Sequence, residues 1–169
     1  MKPSYIVYTT ETGHTKEYAK MISSSVNLPC ISLDEAKKTL PKKTPVIYMG
    51  WLFVGTVKNF NKAKRLFNVS AVLGVGLCPT GELIAETRKR LKLPDSIPLF
   101  TIQGGINTDA LKGIYKKMIE TLTKSLEKKK NKSEKDNGML ELLKTNKSYV
   151  SNNNITAFLE WYNSSKENV

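Results

Sequence analysis

The sequence predicts an α/β protein: a doubly wound parallel sheet of five strands in the order 2-1-3-4-5, with a helical C-terminal extension. Two observations predict this class. Within the first 105 residues, short runs of β-branched and aromatic residues alternate with segments whose apolar residues recur at helical spacing. Such segments supply the right-handed crossovers that parallel strands need. After residue 105 only helical patterns remain.

The predicted strands are rich in valine, isoleucine and aromatic residues, which favour a pleated, buried backbone. The second is the weakest, because few of its residues are of this type. Glycine follows the third strand at Gly50 and the fifth at Gly104 and Gly105, which marks the expected strand ends. In chain order the strands are predicted over residues 4–9, 29–33, 45–49, 70–75 and 97–102.

Helical spacing predicts one helix after each of the first four strands. In the first helix, Tyr18, Ala19, Ile22 and Val26 share one face, which indicates the side that packs on the sheet. The second helix is short. The ranges predicted for these helices are 12–25, 34–39, 57–67 and 81–91.

Residues 106–169 are predicted to be a helical, lysine-rich part of the same domain, because 64 residues that include the last sheet-covering helix make a poor independent core. We therefore expect residues 1–169 to form a single domain with its sheet core in residues 1–105. The expected order is a long helix over 108–127, capped by Asn107 or Thr108, an exposed polar segment over 128–138, a short helix over 139–144 and a final amphipathic helix through Trp161.

The length of 169 residues and the 40% of hydrophobic residues are those of one ordinary globular domain. One histidine and two cysteines are too few for zinc fingers or iron–sulfur clusters, and they indicate a reducing compartment. The sequence has no signal-peptide pattern and no long apolar run. We therefore expect a cytoplasmic protein, with a peripheral role at a membrane left open.

The loop after the first strand carries the sharpest motif, Thr10-Glu11-Thr12-Gly13-His14-Thr15. It lies between a predicted strand and a predicted helix. The N–H groups of a helix N-terminus bind anions, and threonine hydroxyls donate further hydrogen bonds. The motif therefore predicts a phosphate site without a cation. The alternative is a plain turn in which Thr12 or Thr15 caps the helix.

Other phosphate sites do not match the sequence. The chain has no nucleotide triphosphatase motif, and Gly74-Val75-Gly76 lacks the third glycine of the dinucleotide fingerprint. A phosphoacceptor domain would need carboxylates after the first and third strands, where this chain has Thr9 and Gly50.

Two further loops are expected at the same edge of the sheet, because ligands of such sheets bind at the carboxyl ends of the strands. Trp51 and Phe53 offer flat apolar surface to a ring, although Trp51 is alternatively a core or lid residue. The second loop offers backbone donors, although it is alternatively an ordinary connection in which Thr80 caps the next helix. Both cysteines are interpreted as structural. The predicted site residues of these loops are Gly50, Trp51, Leu52, Phe53 and Val54, and Gly76, Leu77, Cys78, Pro79 and Thr80.

The motif over residues 10–15 resembles the FMN phosphate loop of flavodoxins, and the likeness in order and spacing covers residues 1–105. It implies a flavodoxin-like fold and a flavoprotein that holds FMN in the three loops and passes electrons to a partner protein or a quinone. Flavodoxins are acidic around the ring, whereas this chain is basic. Less negative charge there is expected to stabilise reduced, anionic flavin.

Gly104-Gly105, the long basic helix and the final helix are similar in layout to the flavodoxin-like, menaquinone-dependent protoporphyrinogen oxidases of bacteria, which bind FMN and carry an inserted segment near the C-terminus. Three hypotheses remain open: an FMN-binding electron carrier, a quinone-linked flavin oxidoreductase, and a flavin-free interaction module on the same fold. In the first two, the flavin carries the chemistry, so no catalytic side chain and no metal ligand is predicted.

The chain is strongly basic, with 27 Lys and Arg against 15 Asp and Glu, a net charge of +12. The segment Lys112–Lys135 has nine lysines against three acids. One interpretation is a surface that binds anionic lipid or a carboxylate-bearing partner. The alternative is a lysine face that is simply solvated. Nucleic acid fits less well, because the segment lacks arginine and interleaved aromatic residues.

Overall fold

The computed structural model describes residues 2–167, and the side chains of residues 2–165. Five parallel strands form a sheet in the order β2-β1-β3-β5-β6, and β4 pairs antiparallel with the end of β3. The strands are β1 Tyr5–Thr9, β2 Cys30–Ser32, β3 Pro45–Phe53, β4 Thr56–Val57, β5 Asn68–Gly76 and β6 Leu99–Gln103. The predicted α/β class and parallel sheet are confirmed, and the arrangement is compatible with a flavodoxin-like fold. Because β4 was not predicted, the observed order is a variant of the predicted one.

The third strand does not end at Gly50, so that prediction is wrong. The strand continues to Phe53, turns through Val54 and Gly55 and pairs back as β4. Both turn residues have positive φ, 48° and 68°, as in the tight turns whose twist matches a hairpin. Gly50 permits this fold-back, because a Cβ there would lie 2.7 Å from Val57 Cγ1.

The helices largely follow the predicted pattern, but their ends differ. Two short 3₁₀ helices, Thr108–Ala110 and Asn152–Ile155, precede α-helices. The α-helices are α1 His14–Val26, α2 Leu33–Thr39, α3 Phe60–Leu66, α4 Ile84–Leu91, α5 Gly113–Lys128, α6 Glu134–Thr145 and α7 Thr156–Glu167.

The C-terminal half departs most from the predicted boundaries, for reasons of local capping. The Asn107 side chain accepts hydrogen bonds from the N–H groups of Asp109 and Ala110, which closes a separate short turn before α5. α6 begins inside the segment predicted to be polar and exposed, because Ser133 and Asp136 form a reciprocal capping box. The segment 128–138 is exposed or partly exposed, as predicted, but the short helix predicted over 139–144 begins five residues earlier, at Glu134.

The core lies on both faces of the sheet, because neighbouring residues of a strand point to opposite sides. Ile6, Ile47 and Leu73 pack in one buried cluster with residues of α1 and α7. The adjacent residues of the same strands pack in a second cluster with α2, α3 and α4. A third, smaller cluster around Leu142 and Leu143 joins α5 and α6 at the edge of the sheet. This arrangement leaves the carboxyl ends of β1, β3 and β5 beneath α5.

Candidate functional site

A cavity of about 320 Å³ opens at the carboxyl ends of β1, β3 and β5. This edge is the point at which the chain, having placed β2 on one side of β1, crosses to the other side to form β3. Open parallel sheets bind ligands at such a switch point, and the volume is that of a small-molecule site.

The structure brings the three predicted loops together around this cavity. Four of the predicted residues, Gly13, Gly50, Pro79 and Thr80, lie outside its lining. The predicted residues that do line it are Thr10, Glu11, Thr12, His14, Thr15, Trp51, Leu52, Phe53, Val54, Gly76, Leu77 and Cys78.

The N-terminus of α1 faces this cavity without a side-chain cap. Gly13, with φ of 102°, occupies the capping position, and no side chain among the described residues accepts a hydrogen bond from the N–H groups of the first helical turn. The alternative in which a threonine caps the helix is therefore wrong. The Thr10 hydroxyl accepts from Gly13 N at 3.1 Å, which holds the loop closed. The first N–H groups of α1 remain available to a ligand.

His14 forms one wall of the cavity and packs against the two glycines after β6. A Cβ at Gly105 would lie 2.9 Å from His14 Nε2, and one at Gly104 would lie 3.4 Å from its Cβ. The glycine pair thus makes room for the imidazole. Burial lowers the pKa of His14, although Glu17 opposes this shift. We therefore expect a neutral imidazole at pH 7, hydrogen-bonded through Nδ1 to the Thr12 hydroxyl at 3.2 Å.

An aromatic cluster forms the opposite wall. The rings of Trp51 and Phe53 meet edge to face with centroids 5.3 Å apart, and Tyr115 of α5 lies 5.1 Å from Trp51 and 5.7 Å from Phe53. The Lys58 ammonium donates a hydrogen bond to the Tyr115 hydroxyl and lies over the Trp51 ring at 5.6 Å. The indole Nε1 of Trp51 is buried and has no hydrogen-bond partner among the described residues.

Sequence reasoning missed the roof of the cavity, which comes from α5 and the segment before it. Tyr115, Ile119 and Leu122 lie on the long helix predicted over 108–127, but nothing local in the sequence shows that this helix comes to lie at the cavity. The additional lining residues are Gly55, Val75, Leu83, Gly105, Ile106, Leu111, Tyr115, Ile119 and Leu122.

The cavity is apolar and contains few ionisable groups. Among the described residues, Glu11 is the acidic side chain of its lining, and no lysine or arginine lines it. Burial, reinforced by Glu82, raises the pKa of the Cys78 thiol. The thiol is therefore protonated at neutral pH and is a poor nucleophile.

The residues of the third loop outside the cavity have structural partners instead. The Thr80 hydroxyl donates to Asn154 Oδ1 at 2.8 Å and accepts from Gln103 N at 3.0 Å. It does not cap α4, so the alternative assigned to this threonine is wrong. The loop is tied through it to β6 and to the turn before α7.

No family model, no curated protein and no solved structure matches this chain. The site is therefore interpreted from its own geometry.

Proposed function

We propose that the protein binds FMN in this cavity and transfers electrons through it. One observation carries the proposal. An uncapped helix N-terminus in a threonine-rich loop and an aromatic cluster face the same cavity, at the switch point of a parallel sheet. A phosphate at one end and a flat ring system at the other match these two walls.

The loop over residues 10–15 supplies what a phosphate needs. The unpaired N–H groups of the first turn of α1 and the hydroxyls of Thr12 and Thr15 are the donors, and the dipole of a thirteen-residue helix favours an anion at this end. Glu11 is the one carboxylate of the lining, so repulsion of the phosphate by acidic groups is limited.

The opposite wall fits the ring. Trp51 and Phe53 offer flat apolar surface to the ring. Tyr115, Ile119 and Leu122 of α5 complete the apolar lining of the cavity. When bound, FMN supplies one- and two-electron transfer, while the protein binds the cofactor, orients it and shields it.

The test compares FMN with riboflavin, which lacks the phosphate. We expect the double variant Thr12→Val, Thr15→Val to weaken FMN binding more than about tenfold, because each hydroxyl hydrogen bond to a charged group contributes roughly 1.5–3 kcal/mol. Riboflavin binding is expected to change less than about twofold. Quenching of flavin fluorescence on titration measures both affinities.

Thr39→Val on the exposed side of α2 is the matched control, since Thr39 bonds only within its own helix. Equal loss of FMN and riboflavin affinity in the double variant would contradict the phosphate assignment. Protein that binds neither flavin would refute the proposal and favour the flavin-free interaction module.

A second candidate, a quinone-linked flavin oxidoreductase of the protoporphyrinogen oxidase type, is favoured by one feature. Leu111, Ile119 and Leu122 add to the apolar lining that holds the aromatic cluster, and such a lining suits an apolar substrate. Reduced, FMN-loaded protein that is reoxidised by a water-soluble menaquinone analogue under anaerobic conditions would support this candidate. A reoxidation rate no higher than that of free reduced FMN would exclude it.

A further inference from the structure

The large apolar side chains that are exposed to solvent in the described part of the chain lie at one place. Val54 at the tip of the β3–β4 hairpin is 64% exposed, and Ile114 on α5 is 67% exposed. Met118 and Leu122, 39% and 40% exposed, follow Ile114 at intervals of four along the same helix face. No residue of α5 is buried, so this face has no partner within the described chain.

This apolar surface borders the mouth of the cavity. Val54 and Leu122 both line the cavity, although both also face solvent. They therefore stand where the cavity meets solvent. Ile114 and Met118 do not line it and continue the apolar surface outward along α5.

A row of cations runs beside the apolar surface. At 100° per residue, Lys117, Lys124 and Lys128 project next to Ile114, on the side away from the cavity. All three are exposed, and none lies within ion-pair distance of a carboxylate in the part of the chain that the structure describes. Glu127 lies beyond the row and is paired with Lys144 of α6 at 2.6 Å.

We propose that this surface, formed by Val54 and the outer face of α5 with its lysine row, docks on an anionic lipid bilayer. Helices that combine an exposed apolar face with flanking lysines lie in the membrane interface, with the apolar residues among the acyl chains and the lysines at the phosphates. The net charge of +12 adds long-range attraction to the same surface. None of the helices described is long and apolar enough to cross a bilayer, so the contact is peripheral.

Docking in this orientation places the mouth of the cavity at the membrane surface, because Val54 and Leu122 belong to both. The inference is independent of the proposed function. The test needs no flavin, so failure of one leaves the other standing.

Co-sedimentation with vesicles tests the proposal, using phosphatidylcholine alone and an equal mixture with phosphatidylglycerol. We expect binding to the mixed vesicles only, weakened by added salt. The variant Lys117→Gln, Lys124→Gln, Lys128→Gln is expected to lower the partition coefficient roughly tenfold to a hundredfold. The variant Ile114→Ser, Met118→Ser is expected to lower it roughly tenfold at unchanged charge.

The matched control replaces three exposed lysines on α1, α2 and α4 by the same charge change: Lys20→Gln, Lys38→Gln and Lys89→Gln. We expect this control to lose less than about threefold. Equal losses in the two lysine variants would overturn the proposal in favour of a general charge effect. Absence of vesicle binding, with self-association that the Ile114→Ser, Met118→Ser variant abolishes in sedimentation velocity, would assign the surface to a second copy of the chain instead.

Discussion

At the scale of single residues, the site depends on glycines, because their lack of a side chain leaves space for neighbouring groups. Gly105 is the clearest, because a Cβ there would meet the His14 ring at 2.9 Å and the Lys147 carbonyl oxygen at 2.7 Å. The second contact is backbone, which cannot turn aside as a flexible side chain can. Gly138, in the middle of α6, has nothing within 4 Å of the same added atom.

Replacement of these two glycines by alanine is expected to change the free energy of unfolding in opposite directions. Gly105→Ala is expected to lower the free energy of unfolding by about 1–3 kcal/mol, because of overpacking against His14 and the backbone. Gly138→Ala is expected to raise it by about 0.5–1 kcal/mol, because alanine restricts the unfolded chain and favours helix. Urea unfolding followed by circular dichroism measures both. A neutral Gly105→Ala would contradict the close packing of His14 against the end of β6.

At the scale of elements, α6 depends on its first turn. The Asp136 carboxylate accepts hydrogen bonds from Ser133 N and Oγ at 2.8 Å and from the Lys129 ammonium at 2.6 Å. The Lys129 hydrogen bond and those of Ser133 lower the pKa of Asp136 from 3.8 to about 2. The contacts thus join the end of α5 to the start of α6.

The pH dependence of this cap follows from the direction of the shift. Because the folded-state pKa lies below the ordinary 3.8, the cap stabilises α6 above that pH and is lost as the pH falls toward about 2. The carboxyl carbon of Asp136, followed by NMR, is expected to titrate near that lower value. In Lys129→Gln the midpoint should move upward, and a wild-type midpoint near 3.8 would contradict the capping box.

At the scale of the whole molecule, Tyr18 ties distant parts of the chain together. Its buried hydroxyl donates to the Gln103 carbonyl oxygen at 2.5 Å and accepts from Asn154 Nδ2 at 2.7 Å. α1, the end of β6 and the turn before α7 thus meet at one atom, next to the glycines that contact His14.

Removing this hydroxyl is expected to weaken the whole fold. Tyr18→Phe should lower the free energy of unfolding by about 1–3 kcal/mol, because the Ser151 N–H loses its acceptor and Asn154 Nδ2 loses one of its three acceptors. Tyr5→Phe is the control, since the Tyr5 hydroxyl has no hydrogen-bond partner among the described residues. Urea unfolding of both variants measures the difference, and equal stabilities would show that the Tyr18 contacts do not connect the C-terminal segment to the sheet.

Local sequence determined much of this protein. The alternation of apolar runs with helical spacing predicted the parallel α/β sheet, and the threonine motif predicted the loop that faces the cavity from the N-terminus of α1. Both follow from short-range chemistry: backbone preference, side-chain periodicity and the donors of a helix end. The hairpin was missed because Val54 adopts a positive φ that β-branched residues rarely take, so no turn motif marks it.

Tertiary structure alone decided the rest of the site. Tyr115 meets Trp51 and Phe53, and Gly105 meets His14, across separations in sequence of more than fifty residues. Such contacts depend on the positions of α5 and of the end of β6 in the fold. The local periodicity of the sequence does not determine those positions. An amphipathic helix can pack its apolar side chains against any apolar surface that the fold presents. Here Tyr115 and Ile119 of α5 are half-buried beside the cavity and the α6 cluster, while Ile114, Met118 and Leu122 stay exposed.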